Sequence, residues 1–478
     1  MTDPTKRFAT KDDLLAIAQS AKQKYTNVIE SVKLGGTALS VSSKSVNIPV
    51  DTSLSATSTN PVQNCIVSRP ILSLMGRIGV LPDVAPDEWS TLAASIAAGN
   101  GESVIPVGTQ IVSPMTDQRA GNTTVYDAAW NVVHHGTAEL ESGTTKNVAY
   151  LQMDRCLPYD TQFSPYQAFL CAVTVIPAGT YNVTFAENWG THQKAGKTYQ
   201  FTLTNDLPIG GQLAGFYGCP DQSPSNWRVY AFSSSTAASA TETCVVTEGS
   251  GGTSLGTLSF AGVSVPASGT PEVTTVGSLR FYGLNSIQRV AYGNNRWLHS
   301  PLRQFLNASG ANWWVPKTVF DRPPSYVGYD GFLTGIDPDM VSAMLPTKTT
   351  TALNNITDGG TAANPLYDVT YDKVFLPSGT EHYLQNIESF DPKAKEGVAW
   401  DYWKRVAGTT SPLAWWSYHP EYIQYDLASP TSPRSCWVRA ANRGHGNNVA
   451  VVHASGYCRY HDAINGHRAA PACALGQS

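Results

Sequence analysis

The 478-residue sequence is short of charge: Asp, Glu, Lys and Arg make up 14% of it, below the Lys/Glu density that helical bundles need. There is no basic run, and a net charge of −4 lacks the positive footprint of a phosphate-binding surface, so nucleic acid is not expected as a partner. No apolar stretch reaches the length of a membrane span, and no apolar segment follows the polar residues 1–11, so neither membrane insertion nor a Sec-type leader is expected. No cysteines form a Cys-x-x-Cys pair. The eight (Cys65, Cys156, Cys171, Cys219, Cys244, Cys436, Cys458 and Cys473) are scattered, which opposes zinc and disulfide-scaffold readings and points to free, mostly buried thiols. Nor is there an internal repeat of the kind a fibre shaft would carry. Glycine, proline and aromatic residues are plentiful instead. That balance predicts an α+β, β-rich, loop-rich fold.

An N-terminal helix is expected within residues 1–36. Thr10 or Lys11 opens it, Asp12 and Asp13 favour its first turn, Leu14, Ile17, Ala18, Ala21, Tyr25, Val28 and Val32 form one stripe, and Gly35-Gly36 stops it. Such a stripe needs a partner, either a homotrimeric coiled coil or the chain's own body. Residues 37–81 read as short strands (Leu39, Val41, Val46, Ile48, Val50) and a linker, with Pro61 opening a second helical stretch towards Ile78. The linker string STNPVQN, residues 58–64, resembles one that recurs in tail-fibre and structural proteins of phages from gut bacteria.

From about Pro82 the chain reads as globular. A helix is expected over 87–98, and strands over Ile105, Val107, Thr109 and Ile111 and over 124–133. Residues 163–275 change texture: alternating runs at 172–175, 180–185 and 198–203, broken by turn residues, suit an antiparallel β-sandwich. Ser/Thr/Gly-rich 233–240 and 248–257 read as loops. The earlier style then returns, with Ser300 capping a helix that Pro301 opens, a helical 341–345 and a short buried strand at 373–377. The sandwich is therefore expected as an insertion in a discontinuous domain of 82–162 plus 276–478. Gly-Lys-Thr at 196–198 mimics a phosphate loop, but its glycine spacing is one residue too long and a strand follows it.

The C-terminal segment has the most unusual composition. Framework-like ends at Trp437–Arg439 and 470–475 flank a run without apolar periodicity that holds four of the ten histidines. Gly444, His445, Asn447, Asn448, Val451, His453, Tyr457, Arg459, Tyr460, His461, Asp462, Ile464, Asn465 and His467 make a mixture of Tyr, Arg, Asn and His, the residue types that give binding surfaces large contact area and adaptable hydrogen bonds. A metal site would need carboxylates or cysteines at fixed spacing, and Asp462 stands alone; no metal and no cofactor is expected. The segment is read as an irregular, displayed surface, with Trp400, Tyr402, Trp403, Trp415, Trp416 and Tyr418 as core beneath it. The carboxylates Asp337, Asp339, Glu381, Glu388, Asp391 and Asp401 show no legible glycosidase pair.

Three pieces carry a second resemblance: YGNNRWLHSPLRQFLNAS (292–309), KVFLPS (373–378), and CWVRAANRG…NNVAVVHASG…RAAPACALG towards the C-terminus. They resemble the C-type-lectin-fold domain shared with formylglycine-generating-enzyme-like proteins, and more narrowly the phage variable proteins diversified by retroelements. The resemblance implies a lectin-like scaffold displaying variable side chains. It implies a non-enzymatic tail-tip adhesin, a homotrimer made in the bacterial cytoplasm, resident in the virion and released on lysis. Its N-terminal segment would join other tail proteins, and residues 444–467 would bind a protein or glycan receptor on the host. A virion decoration protein and a tail-associated glycan-degrading enzyme are the alternatives; the fold's relatives include an oxidase with a cysteine pair, for which Cys436, Cys458 and Cys473 are candidates.

Overall fold

The computed structural model describes residues 86–477, except 186–197, 217–227, 246, 249–253, 261–272, 283–285, 360, 362–363, 386–395 and 415–416, together with four short strands between 32 and 46. The second helical stretch at 61–78, Ile48, Val50 and all of the N-terminal helix but its end lie outside the described residues. That end differs from expectation: Val32 lies in a strand, Val32–Leu34, paired antiparallel with Thr37–Leu39.

Helix α1 (Pro86–Ala97) buries Trp89, Leu92, Ala93 and Ile96 on one face at helical spacing. The strand expected from Ile105 onward begins only at Gln110, because Gly101–Val104 forms a helical turn and Gly108 takes a φ of 94°. Strands β1 (Gln110–Thr116), β2 (Val125–Glu139), β3 (Thr145–Met153), β4 (Val374–Phe375) and, from the chain's end, β8 (Ala472–Leu475) form one antiparallel sheet in the order β4-β8-β3-β2-β1. A three-stranded antiparallel sheet stands beside it: β5 (Cys436–Ala441), β6 (Asn448–Val452) and β7 (Cys458–Asp462). One hydrophobic core joins α1, both sheets and the segments between them, from Trp89 through Trp130, Trp297, Phe305, Trp400 and Trp437 to Leu475. Two stretches far apart in sequence therefore bury their apolar faces against each other.

Between them sits a β-sandwich with its own core of Leu170, Tyr181, Phe201, Leu213, Val229 and Phe281. Its six-stranded sheet runs on through Leu279–Tyr282, which pairs with Ala168–Ala172, so sandwich pairing continues beyond residue 275. The four-stranded sheet is not wholly antiparallel: Gly179–Phe185 pairs in parallel with Ser254–Phe260. That second strand and Thr247–Glu248 take up the described residues of the stretch expected as a loop at 248–257, of which 249–253 lie outside the described residues; threonine suits a pleated sheet as well as a turn.

Helices α2 (Ile287–Tyr292) and α3 (Pro301–Leu306) lead back into the main core. Ser300 caps α3 as its sequence predicts, accepting from Leu302 N at 3.1 Å, while its hydroxyl donates to the Phe163 carbonyl at 2.5 Å. The 341–345 helix is Pro338–Ala343, capped by Asp337, and α4 (Asp401–Ala407) carries Trp403 into the core. No described helix is long and apolar enough to cross a membrane.

Candidate functional site

The segment 444–467 is held by residues distant in sequence, in a way that local patterning could not show. Between β5 and β6 the chain turns through 442–447. Asn295 fills this turn. Its side-chain amide donates towards the carbonyls of His445 at 2.7 Å, Asn448 at 3.1 Å and Asn442 at 3.3 Å, and its own oxygen accepts from Asn354 Nδ2 at 3.1 Å. Arg289 Nε donates to the Gly446 carbonyl at 3.2 Å, and Gln288 Oε1 accepts from Gly446 N at 2.5 Å. Behind them, Asp358 receives Arg289 at 2.6 Å, and Asp368 receives Arg296 at 2.7 and 2.8 Å. Gly293, at φ 85°, lets the turn after β7 approach; a Cβ there would collide with the Ser164 carbonyl. The other end of that turn is fixed by Ile464 N donating to Tyr292 O at 3.0 Å and Gln162 Nε2 donating to Ile464 O at 2.9 Å.

Half of the segment is thus sheet, not irregular loop. The misreading has a physical cause. β6 is buried on both faces (Val449, Ala450, Val451 and Val452), so it shows no alternation, and β7 is written in Cys, Arg, Tyr, His and Asp. Sheet formation also decides which residues can be displayed. Val451 is 0% exposed and Asn447 4%, so neither is a display position, contrary to the sequence reading. Asp462 is half-buried and latched inward, accepting from Asn447 Nδ2 at 2.6 Å and Asn448 Nδ2 at 2.8 Å. Gly444, His445, Tyr457 and Arg459 are exposed; Asn448, His453, Tyr460, His461, Ile464, Asn465 and His467 are half-buried.

Arg459 and His461 share one face of β7, opposite Val451 and Val449 of β6. Three imidazoles form a row on this side. His453 stacks on His461 with ring centres 5.8 Å apart and planes 15° apart, His461 meets the edge of His467 at 4.6 Å, and His467 meets Trp437 at 4.6 Å. Burial, reinforced by His461 and His453, pushes the His467 pKa down to about 3, and its Nε2 is buried without a hydrogen-bond partner. Burial lowers His461 too, with His453 and Arg459 adding to the effect. Below the main sheet, burial alone pushes His382 down to about 3.

These depressed values have a sign. The unfolded chain takes up protons near the ordinary histidine value while the fold holds His467 and His382 neutral. Their stabilisation is therefore complete above that value and is lost as pH falls from about 6.5 towards about 3. Each contributes a slope on the order of 1 kcal/mol per pH unit in that window. The urea midpoint is expected to fall between pH 7 and pH 5, and less steeply in His467→Phe; equal slopes in both proteins would contradict the neutral His467.

At the far end of the face, Tyr418 and Tyr457 bridge their backbones and set their rings 5.4 Å apart, and the Arg459 guanidinium lies 5.6 Å from the Tyr457 ring centre. Tyr418 is 55% exposed and Tyr457 38%. Tyr418 was expected in the core; it belongs instead to this surface, because its chain pairs with the tip of the β6–β7 hairpin. Trp400 and Trp403 are core, Tyr402 is half-buried, and Trp415 and Trp416 lie outside the described residues.

The rival chemistries find little geometry here. Burial raises the thiol pKa of Cys436, Cys458 (to about 12) and Cys473, disfavouring the reactive thiolate. The cysteine beside Cys436 is Cys156, and these two share a small buried cluster with Ala470. Of the carboxylates named from the sequence, Asp337 caps a helix, Glu381 is ion-paired to Arg439 at 3.1 Å, and Asp401 meets His134 and Lys404, both at 2.9 Å. Glu388 and Asp391 lie outside the described residues. Among the described residues no three His, Cys, Asp or Glu side chains are grouped to hold a metal ion. Thr198, the last residue of the Gly-Lys-Thr string, opens the strand Thr198–Leu203.

A family described as a domain of unknown function (DUF6273) matches residues 279–476, from the last sandwich strand to the end of β8. No curated protein and no solved structure matches the chain.

Proposed function

We propose that the protein is a phage tail-tip adhesin that binds a receptor on the bacterial surface through the face formed by His453, Tyr457, Arg459 and His461, with Tyr418 at its edge. The observation that carries this reading is the contrast between the face and its mounting. Aromatic, imidazole and guanidinium groups stand on a sheet whose turns are fixed by Asn295, Arg289, Gly293 and Gln162. A preorganised mounting lowers the ordering cost of binding, and Tyr, Arg and His supply contact area with few rotors. The resemblance to retroelement-diversified variable proteins, a C-type-lectin-like scaffold for the discontinuous domain and a trimer built by the N-terminal segment belong to the same proposal.

The test is binding of the purified protein to host cells. Replacing His453, Tyr457, Arg459 and His461 together by Asn, while leaving Asn447, Val451 and Cys458 untouched, is expected to abolish cell binding at an unchanged melting temperature. Undiminished binding by the folded variant would remove the face from the mechanism, and failure of the parent protein to bind host cells would favour a decoration role.

A further inference from the structure

A second recess lies away from the β6–β7 face. It is an open groove of about 680 Å³ over the outer side of β1, β2 and β3, walled by α4 and by the chain at 420–430, and none of its lining residues falls within 444–467. That volume lies within the range of small-ligand sites.

The groove's floor is unusual for a sheet. Gln110, Asn131 and Gln152 are direct cross-strand neighbours on three successive strands, so the register lines up a row of carboxamides. The row is tied together: Gln110 Nε2 donates to Asn131 Oδ1 at 3.2 Å, and Asn131 Nδ2 donates to Asp154 Oδ1 at 2.9 Å. Gln152 Oε1 accepts from Trp403 Nε1 at 2.9 Å, while its nitrogen meets His382 Nε2 at 3.2 Å. The wall contributes a fourth carboxamide. Gln424 is only 9% exposed, and its Oε1 is buried with no hydrogen-bond partner.

The remaining lining defines the chemistry of such a ligand. Asp127, Asp154 and Glu421 face one cation, Arg155, which disfavours an anion. Tyr402 and Tyr425 add ring surface, Tyr425 being 40% exposed. Carboxamides and carboxylates that take and give hydrogen bonds to hydroxyls, with tyrosine rings alongside, suit a neutral polyhydroxylated chain. We infer that this groove binds a neutral oligosaccharide, with the exposed carboxylates of Asp127 and Glu421 accepting from sugar hydroxyls and the Tyr425 ring giving apolar contact. This inference stands whether or not the β6–β7 face binds a receptor.

The full chain would be titrated with maltotetraose, cellotetraose and chitotetraose, with 3′-sialyllactose and tetralysine as charged controls, using saturation-transfer NMR and calorimetry. At least one neutral tetrasaccharide is expected to bind. Tyr425→Ala and Asp127→Ala, both at exposed positions, should each weaken it about tenfold, a change worth about 1.4 kcal/mol. Glu421→Ala, also at an exposed position, should weaken it similarly, and Arg459→Ala should leave it unchanged. The inference is overturned if none of the three neutral sugars binds at millimolar concentration, if tetralysine or sialyllactose binds in preference, or if the three groove variants bind as the parent does.

Discussion

Arg439→Met is expected to cost the protein about 3–5 kcal/mol, the range for removing one partner of a buried ion pair. Arg439 is fully buried in β5. Its Nη2 reaches both Glu381 oxygens at 3.1 Å, Nη1 donates to Thr350 O at 2.5 Å and Thr351 Oγ1 at 3.0 Å, and Nε donates to Leu376 O at 3.0 Å. The guanidinium also lowers two fully buried carboxyls that burial pushes up: Glu381, and Glu396, which stands at about 7 even with the arginine present. Without it both rise further. A carboxyl whose folded pKa lies above its unfolded value loses stability as pH climbs through that folded value. The deficit in Arg439→Met should therefore be larger at pH 8 than at pH 5, and Glu381→Gln in the same chain should restore part of it. Urea unfolding at both pH values checks this; a deficit independent of pH would mean that lost packing, not uncompensated charge, dominates.

Asn295→Ala is expected to have the second large effect, and to place it at the proposed binding face. The substitution strips donors from the carbonyls of Asn442, His445 and Asn448 and leaves Asn354 Nδ2 without its partner on residue 295. At about 1–3 kcal/mol for a buried polar group left unsatisfied, the turn between β5 and β6 should open locally before the protein unfolds globally. Amide exchange should accelerate across 442–448 and in β6 while β1, β2 and β3 keep their protection. If the proposed receptor face depends on this mounting, cell binding should fall although every residue of the face is intact. Exchange that rises equally in all strands would show Asn295 to be a general stabiliser, not a support for one face.

Asn295 also marks where sequence reading reached its limit. The carbonyls it holds are 147, 150 and 153 residues further along the chain, and nothing in the string Gly-Asn-Asn-Arg-Trp announces them. Local devices were legible. The Ser300-Pro301 start of α3, the apolar stripe of α1 and the short apolar runs of β5 and β8 each follow from chemistry within a few residues. Alternation failed in two opposite ways. Ile105, Val107 and Thr109 alternate without being a strand, because a helical turn at 101–104 and the positive φ of Gly108 set the backbone first. β6 is a strand without alternation, because both of its faces are covered. The groove over β1, β2 and β3 was equally hidden: Gln110, Asn131 and Gln152 form a row only once the register is known.

The period of β7 has a consequence for how this segment can change. Arg459 and His461 point one way and Cys458, Tyr460 and Asp462 the other, while Asp462 is pinned by two asparagine amides and the following turn by Tyr292 and Gln162. Gaining or losing a single residue between Tyr457 and Asp462 would exchange the two sets, turning Cys458 outward and an arginine into the core. The segment can therefore be respelled but not resized. Any process that generates new versions of this face must work letter by letter and keep the count.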